Sequence, residues 1–279
     1  MMRGKTIQVF LTDGTPRGIK LAEITSNIEQ AVFIPRNKMN EASHRSEVTR
    51  PGLYFLFGDS EGSSKPVVYI GQSRNCLDRI KTHDQKKDFW NYAVLIISKT
   101  ESFTQTHIEY LEQLAIAKAY EANRYNLENG ASPKKFKVPE TLEADLLDNF
   151  DTIKILLSTL GFTLFDSIKK ESANAQHFFC KGKKAIAEGE YQDDGFVVFM
   201  GSKANTKLTP TASSTVINLR DNLLDTKILV QEGEIFVFQD DHLFSSPSAA
   251  ASQVLARNAN GWIEWKTKEG KTLDEIKRK

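Results

Sequence analysis

Apolar residues in the first hundred positions fall in short runs broken by polar and turn-forming residues, the spacing of strands rather than long helices. Lys5 to Leu11 predicts a strand, and Thr12-Asp13-Gly14-Thr15-Pro16 a turn. Residues 18–25 and 30–35 give two further apolar runs, and Asn37 to Arg45 a short polar helix. After Pro51, Leu53 to Phe57 and Val67 to Ile70 read as a hairpin around the polar loop Asp59 to Ser64. Asn75 to His83 predicts a helix with Ser73 or Asn75 as cap, and Phe89 to Ser98 a strand. From Thr104 the period changes. Ile108, Leu111, Leu114, Ala115 and Ala119 recur at helical spacing up to Ala122. The order β-β-α-β-α is α+β, with a small mixed sheet covered by helices.

The second half repeats the mixture. Leu142, Leu146, Leu147, Phe150, Ile153, Leu156, Leu157 and Leu160 define a helix over 140–160, stopped by Gly161. Lys169 to Ala175 is polar, as a linker would be. Strands follow at 177–180, 185–191 and 195–200, then a Ser/Thr loop over 201–215. A helix near 216–225 and a strand pair near 227–238 come next. Ser246 and Pro247 open a last helix, Ser248 to Arg257, and Asn260-Gly261 turns the chain into Trp262 to Trp265. Four segments result: an N-terminal arm (1–48), a central domain (49–138) on which the arm packs, a helical connector (139–175) and a C-terminal α+β accessory domain (176–279).

Composition narrows the class. With 279 residues there is enough chain for two cores. A net charge of +1 announces no global basic field, although the first half is slightly positive and the second slightly negative. Cys76 and Cys180 stand far apart, without the spacing of structural zinc, and suit a reducing compartment. The first residues lack the apolar core of a secretory signal, and no apolar run is long enough to span a bilayer. A cytoplasmic protein with no membrane partner and no small-molecule organic cofactor is the expectation.

Gly52-Leu53-Tyr54 and Tyr69-Ile70-Gly71 put a tyrosine on each of two neighbouring strands, followed by Arg79 and His83 four apart on one helix face. Two phenols, a guanidinium and an imidazole at one sheet edge suit attack on a phosphodiester. Arg79 can fork two phosphate oxygens. Tyr69 or Tyr54 can take a proton from water once its pKa, ordinarily near ~10, is lowered. His83 can hold or relay that proton. Mg²⁺ suits a sparse oxygen site of one carboxylate and several waters. Taken singly, each of these residues reads as packing or solvated surface; their joint occurrence in order carries the argument. Cys76 reads as a small buried helix residue rather than a nucleophile.

This pattern resembles the GIY-YIG nuclease family, with Leu53 in place of the first motif's isoleucine. The resemblance implies a GIY-YIG-type fold over 49–138 and divalent-metal-dependent cleavage of DNA with Mg²⁺ or Mn²⁺. It implies catalytic roles for Tyr54, Tyr69, Arg79, His83 and Asn126, with Gly71 at the substrate. The metal-binding glutamate is Glu112 or, less well spaced, Glu109; Asn123 and Asn129 compete with Asn126. A homodimer is implied if both strands are cut. The alternative is a catalytically silent module of the same fold that binds nucleic acid or regulates. Lys134 and Lys135 are most simply solvated, with backbone phosphates within their reach. The stretch Phe244 to Trp265, with Gly270-Lys271-Thr272-Leu273, resembles a small domain of unknown function that often follows GIY-YIG nucleases in bacterial proteins. Trp262 and Trp265 are expected as its core, or one of them as a stacking surface.

Overall fold

In the computed structural model, which describes residues 4–59, 65–130, 137–166, 176–192 and 195–278, the chain divides into two compact units, one ending near residue 167 and one following it. Both are α+β. The expected loop at 60–64, Lys134 and Lys135, and the linker at 169–175 lie outside the described residues.

The first unit contains β1 (Ile7–Leu11), β2 (Lys20–Ile24), β3 (Glu29–Pro35), α1 (Met39–Ala42), β4 (Gly52–Gly58), β5 (Val67–Ser73), α2 (Cys76–Asp84), β6 (Trp90–Ser98), α3 (Gln105–Ala122), β7 (Asn126–Leu127) and α4 (Glu140–Thr159). Its sheet runs β1-β2-β3-β6-β4-β5-β7, antiparallel except for the parallel β5–β7 pair. The arm is therefore three strands of the same sheet, because β3 pairs with β6 along its whole length, from Glu29–Ser98 to Pro35–Tyr92. Strand β4 is buried at every position, which explains its continuous apolar run: helices cover both faces. Leu53, Phe55 and Phe57 face α3 and α4, while Tyr54 and Leu56 face α1 and α2. The helix expected as a connector belongs to this core. Leu146, Phe150, Ile153, Leu156 and Leu157 of α4 pack on the sheet, and Asn27 Nδ2 donates to Thr152 Oγ1 at 2.7 Å. Gly161, at φ 96°, ends the packed helical segment in a conformation open to glycine.

The second unit contains β8 (His177–Lys181), β9 (Ile186–Gln192), β10 (Gly195–Val198), β11 (Lys203–Asn205), α5 (Ser214–Asp225), β12 (Leu229–Glu232), β13 (Ile235–Phe238), β14 (His242–Phe244), α6 (Pro247–Leu255), α7 (Gly261–Glu264) and α8 (Leu273–Lys277). Its antiparallel sheet runs β12-β13-β11-β9-β10-β14, with β8 on β9. As the sequence predicts, Ser246 caps α6, accepting from the Ala249 amide at 3.1 Å, with Pro247 in the first turn. Three expectations change. The Ser/Thr loop contains β11, Asn260 caps the helical turn α7 rather than a plain turn, and α8 follows as the true last helix. The two indoles divide. Trp265 is fully buried and donates to the Pro247 carbonyl at 3.1 Å, whereas Trp262 is half-buried between Tyr191 and the Arg278 guanidinium. Arg220 is 2% exposed. Its Nε donates to Gln253 Oε1 at 2.9 Å and Nη1 to the Asn205 carbonyl at 2.8 Å; Nη2 reaches the Gln253 carbonyl.

Candidate active site

Strand alternation puts Tyr54, Tyr69 and Gly71 on the α2 face of the sheet. Tyr54 pairs directly with Gly71 across the β4–β5 ladder, on the same face of the sheet. A Cβ added at Gly71 would lie 2.3 Å from both Cζ and Oη of Tyr54. Glycine there makes room for the phenol. Gly71 is buried under that ring and seats it.

Helix α2 starts at Asn75, whose side chain accepts from the Asp78 amide at 3.3 Å. Its burial of Cys76, Leu77 and Ile80 brings Arg79 and His83 over the tyrosines. The Tyr54 hydroxyl lies 2.9 Å from His83 Nε2, and Arg79 Nε donates to it at 3.4 Å. The three rings cluster, with Tyr54–Tyr69 centroids 6.1 Å apart and Tyr69–His83 centroids 4.9 Å apart.

Burial fixes the protonation states. Tyr54 is 1% exposed, and desolvation pushes its phenol well above the ordinary range, only partly opposed by Arg79. Desolvation, then Arg79, Lys87 and Lys86, pushes His83 down to about 4. At neutral pH the imidazole is uncharged. The Tyr54 hydroxyl accepts from Arg79 Nε and shares a hydrogen bond with Nε2 of the neutral imidazole. Tyr54 is thus a fixed hydrogen-bonding group, and the half-buried Tyr69 is the phenol nearer solvent. Cys76 is fully buried, and burial pushes its thiol up to about 12, as befits a packing residue.

The other flank is the outer edge of β5. Its alternate peptide groups face away from β4, and each finds a different partner. The Asn126 and Glu128 amides donate to the Pro66 and Val68 carbonyls at 2.9 Å. The Asn129 side chain accepts from the Ile70 amide at 3.1 Å and donates to the Ile70 carbonyl at 2.7 Å. Next along the edge, the Glu112 carboxylate lies beside the Gln72 backbone amide, which favours its charged form. Glu112, half-buried on α3, therefore reaches around the sheet edge towards Arg79. Burial raises its pKa, the Gln72 amide opposes this, Glu109 adds to the rise, and Arg79 opposes it again. Glu109 is otherwise engaged, accepting from Gln105 Nε2 at 2.7 Å.

The structure gathers Tyr54, Tyr69, Arg79 and His83 in one cluster, with Glu112 at its edge. Asn126 is exposed in β7 opposite Val67, roughly 13 Å along β5 from Gly71. Asn129 is the asparagine whose side chain holds the motif strand. Spacing alone could not separate it from Asn126, because the two-residue β7 that sets the register gives no periodic signal. Lys87 is also absent from the sequence reading. Its ammonium lies 4.7 Å from the centre of the Tyr69 ring and 5.7 Å from that of Phe89.

Among the described residues, no group of three or more His, Cys, Asp and Glu side chains could hold a metal ion by itself. A single half-buried carboxylate, Glu112, fits an ion that keeps most of its waters. Among the described residues, no helix is long and apolar enough to cross a membrane.

Residues 178–277 match the family model described as a Domain of unknown function (DUF4357). That range is essentially the second unit, in agreement with the resemblance drawn from Phe244 to Trp265. No curated protein and no solved structure matches the chain.

Proposed function

We propose that the first unit is a divalent-metal-dependent endonuclease of the GIY-YIG type that hydrolyses phosphodiester bonds in DNA. The observation that carries this reading is the hydrogen-bonded line Arg79–Tyr54–His83 beside Tyr69, with one carboxylate, Glu112, at the same strand edge. The element order β4-β5-α2-β6-α3 supports a GIY-YIG fold.

Glu112 would hold a Mg²⁺ or Mn²⁺ ion, which when bound supplies Lewis-acid polarisation of the phosphate oxygens. The protein's own groups do the rest. Exposed Arg79 offers its remaining guanidinium N–H groups to the charge that grows on the phosphate. Tyr54 accepts from Arg79 Nε and so fixes its direction. Neutral His83, hydrogen-bonded to Tyr54, holds that phenol in place. The half-buried Tyr69 first gives its own hydroxyl proton to solvent and then, as the phenolate, takes the proton of the attacking water, with the Lys87 ammonium adding positive potential beside it.

The test is nicking of supercoiled plasmid by purified protein with Mg²⁺ or Mn²⁺, with and without chelator, beside Glu112→Ala. Metal-dependent nicking lost in a folded variant is expected. Unchanged cutting by Glu112→Ala refutes the metal assignment. Folded wild type that retards DNA but never cuts it is instead the silent binding module.

A further inference from the structure

The first unit carries a second concave surface that the nuclease reading does not use. It is an open groove of about 950 Å³ at the strand ends where Pro35 pairs with Tyr92. Phe33 and Tyr92 stack with ring centres 5.4 Å apart and planes 25° apart, and Phe162 lies 6.1 Å from Phe33. Tyr92 is 43% exposed, so one ring face looks out of a stack whose inner members are packed in the core.

Three cations surround the rings, and only one is committed. Arg36 is tied to the end of α2: Nε bonds Asp84 Oδ1 at 2.7 Å, and its other nitrogens bond the Asp84, Asp88 and Trp90 carbonyls. That pairing also neutralises Asp84, the acidic residue that lines the groove. Arg17 is exposed, and Lys20 holds its ammonium 4.7 Å above the Phe33 ring. The groove thus combines an outward aromatic face, supported from behind, with two cations free to meet anions.

We infer that this groove binds single-stranded nucleic acid, with an unpaired base stacked on Tyr92 and backbone phosphates on Arg17 and Lys20. Stacked rings beside cations are the combination that holds unpaired strands. A duplex hides its base faces and could use only the cations. An acidic peptide would likewise leave the exposed ring face idle. This inference is independent of catalysis, because none of its residues belongs to the Tyr54–Glu112 cluster.

The test is fluorescence anisotropy of labelled (dT)20 and (U)20 with the full chain in chelator, titrated over a range of salt. Glu112→Ala serves as a second background in which no cutting can occur. Tyr92→Leu should weaken binding at least about fivefold, the lower end for loss of one stacked base. Arg17→Ala with Lys20→Ala should lower the log–log salt slope by about 1.4, or ~0.7 for each phosphate no longer neutralised. Arg17 is exposed, so its replacement tests the groove even if Tyr92→Leu fails to fold. Ultraviolet crosslinking to the wild type should map to Tyr92 or Phe162. The inference is overturned if folded wild type binds neither probe, if the cation variants leave the salt slope unchanged, or if crosslinks fall only outside the groove.

Discussion

Gly71→Ala probes the seating of the site with the smallest possible change. The added methyl would stand 2.3 Å from Tyr54 Cζ and Oη and 2.9 Å from Cε1. Relief to an ordinary contact of about 3.5 Å needs a shift of about 1.2 Å. The ring has nowhere to go. It is 1% exposed, with Tyr69 and His83 packed against it and Leu56 and Leu95 in the same core. Overpacking of this kind costs about 1–3 kcal/mol, and loss of the buried Tyr54–His83 hydrogen bond about 1 kcal/mol more. The sum is about 2–4 kcal/mol. For a unit of this size it lowers Tm by roughly 4–16 °C. Thermal denaturation of Gly71→Ala, Tyr54→Leu and the double variant forms a cycle. The double variant should recover a large part of the alanine penalty, because the atoms that clash are gone. Were Gly71→Ala to melt with the wild type, or the two changes to add without coupling, the seating of Tyr54 on Gly71 would be wrong. Plasmid nicking should fall with the single variant even where it remains folded, since Arg79 and His83 lose their common partner.

Other outcomes stem from burial. His83 has a folded-state pKa of about 4, below the unfolded value near 6.5. The unfolded chain therefore binds the extra proton, and stability is lost as pH falls from about 6.5 towards 4, by at most about 3.5 kcal/mol. Urea midpoints across that window should fall less steeply in His83→Gln. Glu29 is 2% exposed, one carboxylate oxygen has no hydrogen-bond partner, and burial raises its pKa. Its contribution worsens as pH rises, so Glu29→Gln should raise the melting temperature at pH 8 more than at pH 5; equal shifts would argue against a buried charge. Arg220→Ala strands Gln253 and two carbonyls in the second core, and should destabilise that unit by about 3 kcal/mol, read as earlier hydrogen exchange in α5 and α6.

Long elements with a clear period were legible in the chain itself. Helices α3 and α4, the hairpin β4–β5 and the capped α6 all follow from apolar spacing and cap chemistry, which are local properties. The α+β class and the order of candidate residues from Tyr54 to Glu112 follow with them. Among the short elements, β7, β11, β14 and α8 escaped, whereas β8, β10, β12 and β13, no longer than α8, were legible from their apolar residues and flanking turns. Register and packing then decided what local spacing could not. The β3–β6 pairing made the arm part of one sheet, and the core drew α4 away from a connector role. The parallel β5–β7 pairing set Asn126 opposite Val67 and brought the Asn129 side chain onto the Ile70 peptide group. Protonation energetics were equally a tertiary matter: the sequence supplies a tyrosine and a histidine, and burial under α2 pushes the pKa of the first up and of the second down. Contacts between residues distant in the chain depend on how faces meet, and one strand's register moves every side chain it carries.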